Sequence, residues 1–347
     1  MAIVFRVFRW FAAALLLVIL VLAAVLIIPG RPASTHSLRF DGFVELPMKA
    51  SPLNVFDYMT VVGDDLFVTN AITGAVYRVN LHRHAMPDAA DVSVLASDAG
   101  PRAVVVDPTS RLAFVTRSEA NSVDVFDPKS MRLIKHIPVA KGPDAMFYDP
   151  SDQLVYVASG DAKAATLIDP ASQKSIGAIP LGGSPEFAAF DPETKLMYQN
   201  LADTNTLVAV DVARRMVVQR WPLGGCDAPT GVAIDEANRK LFIACGMSSK
   251  LAVFDLDLHR VIATVPVGFG PDSVAYDAEL HRIYVTGLAG RLSVVSQDAA
   301  NAYHVADSIN LHFNAHTLGI DPATHRLIVG YASLAIPPRL AVFTPNR

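Results

Sequence analysis

An aspartate, followed by proline in four of six cases, closes a short apolar run again and again along this chain. Asp107, Asp149, Asp191, Asp235, Asp277 and Asp321 stand 42, 42, 44, 42 and 44 residues apart. A period of that length, built from short apolar runs and turn residues, is the mark of a four-stranded propeller blade. Each unit holds four runs. The first follows a loop proline and is apolar without alternation, as in Ala145 to Tyr148 or Phe187 to Phe190, which suits a strand buried on both faces. The aspartate then turns the chain, since its carboxylate can accept from the next backbone amides. The second and third runs are apolar again, as in Leu154 to Ala158 and Ser122 to Asp127. The fourth ends at a proline, as in Ile137-Pro138, Ile179-Pro180 and Val265-Pro266, which an outer edge strand tolerates.

The count gives seven blades. A degenerate unit precedes the first Asp-Pro, with strands expected at Phe56 to Val62, Leu66 to Asn70 and Val76 to Asn80. The last unit, with strands expected at His316 to Asp321, Arg326 to Tyr331 and Arg339 to Thr344, lacks its outer strand. Phe43 to Met48 fits that pattern, with Leu46-Pro47 in the place of Ile137-Pro138. The fold class read from the sequence is therefore all-β: a seven-bladed β-propeller over 37–347, closed by an N-terminal strand that removes an exposed edge. Hydrophobic content of 52% with 18% charged residues supports a large core and excludes disorder.

Ahead of the propeller, residues 10–28 are an unbroken apolar run, preceded by Arg6 and Arg9 and ended by Pro29-Gly30. A helix of that length nearly spans a bilayer core of about 30 Å. The arginines would hold the N-terminus in the cytoplasm and send the propeller across. Residues 1–30 thus read as a signal-anchor or transmembrane segment and 31–36 as a linker. The expected location is the inner membrane, single-pass, with the propeller in the periplasm; the alternative is secretion to the periplasm after signal cleavage. The run is long for a cleaved signal, and Arg31 spoils a small-x-small site ending at Ala33.

Beyond residue 30 the chain keeps 27 basic against 33 acidic residues, which argues against duplex nucleic acid as a partner. Two cysteines, Cys226 and Cys245, fall in the loop entering blade five and at the end of its second strand. Pairing Ile234 with Leu241 sets Cys245 opposite Thr230, so a disulfide and two separate buried thiols both remain open. No CxxCH is present, which argues against covalent c-type haem.

The phrases LFVTN (Leu66 to Asn70), LVYVA (Leu154 to Ala158) and RIYVTG (Arg282 to Gly287), with the Pro-Asp loops, resemble the YVTN-repeat, or YncE-like, propellers over about residues 37–344. The resemblance implies an exported seven-bladed propeller, mostly of members without known enzymatic activity; a bacterial member is associated with single-stranded DNA. The asparagine ending YVTN is kept at Asn70 and Asn200 and is replaced by Arg117, Ser159, Gly246, Gly287 and Gly330 or Tyr331 elsewhere.

Loops entering the innermost strands gather around one mouth of a propeller's channel. The residues after the loop proline or its equivalent are Arg102, Asp144, Glu186, Thr230, Asp272 and His316, joined by His312 and Asn314 from the loop before blade seven. Carboxylates, histidine and arginine in one ring can hold a small ligand, or a divalent cation, though no cofactor is evident. The same residue types also cap loop amides, and that structural role competes with the functional one. A non-catalytic binding or scaffold module for an envelope protein or small ligand is the first reading. A metal-dependent hydrolase of the lactonase type is the alternative, and a redox-cofactor propeller would need His312 or His316 as an axial ligand.

Overall fold

The computed structural model describes residues 31–47, 55–82, 86–96, 100–299, 301–333 and 336–346. Seven four-stranded antiparallel sheets follow one another around an axis. Blade one starts at Phe56–Val62, blade two at Pro101–Val106, blade three at Pro143–Asp149, blade four at Pro185–Asp191, blade five at Pro229–Asp235 and blade six at Pro271–Asp277. Blade seven is assembled from Leu318–Ile320, Leu327–Ser333, Ile336–Pro345 and, from the other end of the chain, Leu38–Glu45. The architecture is the seven-bladed propeller that the repeat demands.

Closure runs through the expected segment but two residues out of the expected register. Val44 pairs with Leu340 as Ile137 pairs with Val123, so Val44 takes the place assigned to Leu46. Both Val44 and Leu46 are buried, and an alternating pattern is unchanged by a shift of two. Blade seven's first strand is also shorter than expected, and His316 precedes it. The short linker is laid down on the propeller body: the Phe40 amide donates to Ser34 Oγ at 2.9 Å, and Asn346 donates to the Thr35 and His36 carbonyls. Among the described residues no helix is long and apolar enough to cross a membrane, and the apolar run at 10–28 lies outside them.

Burial follows from position in the blade. Second and third strands are enclosed on both faces by neighbouring blades, so Phe114, Tyr156, Phe242 and Tyr284 are fully buried. Outer strands bury one residue in several; Lys174–Pro180 encloses only Ile179. The aspartate of each turn does what its chemistry suggests. Asp107 accepts from the Ser110 amide at 2.8 Å, Asp149 from Ser151 at 2.8 Å and Asp277 from Glu279 at 3.1 Å. Four residues on, Arg111, Gln153, Lys195, Arg239, His281 and His325 all adopt a left-handed backbone.

The start of each inner strand departs from a regular ladder. Pro101 pairs with Arg117, and the next paired residue is Val104; the same shift follows Phe56, Pro143, Pro185 and Pro229. This bulge places Cys245 opposite Pro229 rather than Thr230. Cys226 and Cys245 are joined in a disulfide.

Candidate functional site

The bulges decide what the channel mouth presents. Each sits on the residue after the loop proline, and a bulge re-aims the side chain it carries. It also leaves that residue's carbonyl outside the ladder; in blades one, two, three, five and seven the preceding blade supplies a partner, while the Glu186 carbonyl accepts from Gln199 of its own blade at 2.9 Å. Thr69 donates to the Arg102 carbonyl, Thr116 to Asp144 at 2.7 Å, Asn200 to Thr230 at 2.7 Å and Thr286 to His316 at 2.5 Å. Thr317 closes the circle on Asp57 at 2.6 Å. The threonine of the YVTN phrase is thus a latch that fixes the next blade's mouth residue. Asn200 stands at the latch position, not at the terminal one, which Leu201 and Cys245 fill in blades four and five. The terminal asparagine therefore survives only at Asn70, where its side chain accepts from the Ile72 and Thr73 amides and caps the turn.

The ring so formed holds Asp57, Arg102, Asp144, Glu186, Asp272 and His316. Arg102 Nη1 lies 2.7 Å from Asp57 Oδ2, and its Nε lies 3.9 Å from Asp144 Oδ1. The Tyr58 hydroxyl donates to Asp144 Oδ2 at 3.3 Å, and His316 Nε2 lies 3.7 Å from Asp272 Oδ2. Thr230 spends its hydroxyl on the Pro271 carbonyl at 3.0 Å, so it is a brace rather than a ligand. His312 packs on Tyr331 with ring centroids 5.9 Å apart, its Nδ1 on the Phe313 carbonyl at 2.9 Å and its buried Nε2 without a partner. Asn314 has a left-handed backbone, and its carbonyl meets His316 Nδ1 at 3.0 Å. Of the eight residues read from the sequence, Arg102, Asp144, Glu186, Asp272 and His316 come together, while Thr230, His312 and Asn314 support the loops.

Asp57 escaped the sequence reading because the degenerate first blade has Phe56 where blades two to six have the loop proline. The hairpin register would have found it: Phe56 pairs with Asn70 as Pro101 pairs with Arg117.

One cation among four carboxylates leaves the ring electrostatically unbalanced. Burial, reinforced by Asp57 and Asp272 and opposed by Arg102 and Tyr58, pushes the Asp144 carboxyl up to about 7. Burial and the charges of Asp144, Asp272 and Asp57 push Glu186 up to about 8. Burial and Asp57 raise Asp272 to about 6 against the pull of His316. Burial and the surrounding carboxylates drive the Tyr58 phenol well above its usual range. Arg102 goes the other way: burial opposes its charge, but Asp57 outweighs that and raises it further. At neutral pH Glu186, and Asp144 in part, therefore keep their protons. Among the described residues no group of three His, Cys, Asp or Glu is close enough to hold a metal ion.

The mouth has two unlike sides. Beside Arg102, Asp144 and Glu186 a pocket of about 460 Å³ is edged by Asn121, Lys141, Asp161 and Ser184, all polar. The loops of blades five, six, seven and one instead expose Met247 (72%), Phe269 (62%), Ile72 (54%), Phe313 (53%) and Leu288 (43%). Three of these stand on loops bonded to one another: Leu288 donates to the Gly270 carbonyl, Ala289 to Phe269 and Asn314 to Leu288. This apolar side is not marked by one repeat position: Ile72 and Met247 are equivalent in their blades, while Phe269, Leu288 and Phe313 stand at other places in the repeat.

No protein-family model and no curated sequence matches the chain. Solved structures do. A chain of the Kuenenia stuttgartiensis hydrazine synthase superposes with a TM-score of 0.71 at 15% identity, covering 85% of this chain and 97% of that one. A streptogramin B lyase gives 0.72 at 12% identity, covering 89% and 98%. A chain of the mitotic checkpoint complex gives 0.71 at 15%, covering 91% and 94%. At such identities the likeness defines the class, a seven-bladed β-propeller, and says nothing of activity.

Proposed function

We propose that this chain is a membrane-tethered, periplasm-facing propeller acting as a non-catalytic binding module, and that its mouth takes a cationic group carried on an otherwise apolar ligand or partner. The observation that carries the reading is the juxtaposition at one mouth of four carboxylates against one arginine with a rim of exposed apolar side chains. A cation entering the ring replaces the held protons and makes charge-assisted bonds, while its apolar part covers Phe269, Leu288 and Phe313. The resemblance to exported YVTN-repeat propellers supports a binding role. The disulfide supports an oxidising compartment.

Hexylammonium is the simplest probe. Titrated calorimetrically into the full chain, it should bind more tightly than methylammonium and lose affinity in Asp144→Asn with Asp272→Asn. Phe269→Ser should narrow the difference between the two amines. Equal, weak binding of both amines that survives the double substitution would overturn the reading.

One observation favours the alternative, a metal-dependent hydrolase of the lactonase type: Asp144 and Glu186 titrate near neutral pH, where general acids and bases work. Stoichiometric calcium or zinc on the purified chain, lost in Asp144→Ala with Asp272→Ala, together with lactone hydrolysis, would establish it.

A further inference from the structure

Behind the mouth, the molecular axis is apolar. Tyr58 and Phe187, contributed by blades one and four, meet across the channel with ring centroids 4.5 Å apart. The corresponding residues in four other blades are small: Ala103, Ala145, Gly231 and Ser273. Beyond this pair lies a cavity of about 520 Å³ that shares no lining residue with the mouth pocket. Its wall includes Met146, Phe147 and Phe190, and it reaches Val106, Ile320 and Pro322 at the Asp-Pro face. Met59, Phe147, Phe190 and Ile320 are only half-buried, in contrast to the enclosed second and third strands. Apolar surface is therefore left uncovered along the axis. The volume falls within the roughly 300–1,000 Å³ of small-molecule sites.

Two further features lie on the same face. A side pocket of about 370 Å³ shares Val62 and Val106 with the channel and carries Arg111 and Lys129. Asp65, also in its wall, is paired with Arg78 at 2.9 Å, and among the described residues neither Arg111 nor Lys129 is in an ion pair. The N-terminal connection also leaves here, because Leu38, where the closing strand begins, pairs with Pro345 at the Asp-Pro end of blade seven. Only five residues, 29–33, separate Ser34 from the apolar run at 10–28. If that run lies in a bilayer, this face is turned toward the lipid and the acidic mouth away from it.

We propose that the channel is a binding site for one acyl chain of an anionic lipid, entering from the Asp-Pro face, with the acidic head group at Arg111 and Lys129. Each methylene buried adds to the hydrophobic stabilisation of the chain, and the two cations supply the charge complement. This site is independent of the mouth and of whatever binds there.

Photolabelling of the full chain in lipid nanodiscs tests it. One arm uses free photoreactive palmitic acid and the other a photoreactive phosphatidylglycerol in the disc, with crosslinks mapped by mass spectrometry. Labels at Met146, Phe147 or Phe190 support the proposal, and the arm that produces them tells whether the chain comes from solution or from the bilayer. Ala275→Trp, which fills the channel, should abolish those labels, and Arg111→Glu with Lys129→Glu should weaken them. Leu133→Trp on an outer strand should leave them unchanged. Labels confined to 10–28 or to outer strands of the unaltered chain overturn the proposal, whether or not the variants fold. Labelling of 10–28 separately reports insertion, so failure of the tether is distinguishable from failure of the channel site.

Discussion

Gly231 shows how closely single residues hold the mouth. A Cβ there would lie 2.2 Å from the Asp272 carbonyl oxygen, so two inner strands touch backbone to backbone. No side-chain latch from Ala244, at the latch position of blade five, reaches Asp272, and the close approach takes its place. Gly231→Ala should therefore push Asp272 away, cost about 1–3 kcal/mol in denaturant unfolding and weaken hexylammonium binding. An unchanged unfolding midpoint would contradict the contact. The ring's charge also sets a pH dependence with a definite sign. Asp144, Glu186 and Asp272 all titrate higher in the folded chain than in an unfolded one. The folded state thus holds more protons between about pH 4 and 8, and stability falls as pH rises through that window. Glu186→Gln should flatten the fall and raise the melting temperature at pH 8; a melting temperature that rises from pH 5 to 8 would contradict it.

At the scale of the element, the bulge and its latch turn a generic blade into a positioned side chain. Thr116→Val removes the bond to the Asp144 carbonyl and leaves that buried acceptor unsatisfied, which should cost about 1–3 kcal/mol. The hairpins were legible in the sequence because they rest on local chemistry: turn aspartates, apolar runs and terminal prolines recur in most blades. The bulges were not, since an extra residue at Arg102 or Asp144 leaves the run of apolar residues intact. The register error at Val44 and Leu46 has the same origin. The site was legible in the same measure: four ring members stood after a recognisable proline and His316 at the same place in the repeat after Ala315, while Asp57 stood after Phe56 in the degenerate first unit. The apolar rim of Phe269, Leu288 and Phe313 depends on which loops meet in space, and no spacing records that.

For the whole molecule, the ring is closed by a strand from the far end of the chain. Deleting residues 34–45 should leave Ile336–Pro345 as an open edge and abolish cooperative unfolding; an unchanged melting transition would show that closure does not hold the ring. The disulfide spans a loop of nineteen residues within blade five, so Cys226→Ser with Cys245→Ser should cost about 3 kcal/mol. The two ends of the axis differ in chemistry, acidic with an apolar rim at the mouth and apolar, with Arg111 and Lys129 to one side, at the Asp-Pro face, and Tyr58 and Phe187 divide them. The reading of the mouth makes proton release the most direct measurement. Hexylammonium binding followed by calorimetry at pH 7 in two buffers of different ionisation enthalpy should release protons from Asp144 and Glu186, with affinity rising from pH 6 to 8. Binding without proton release and without dependence on pH would place the cation elsewhere and contradict the account.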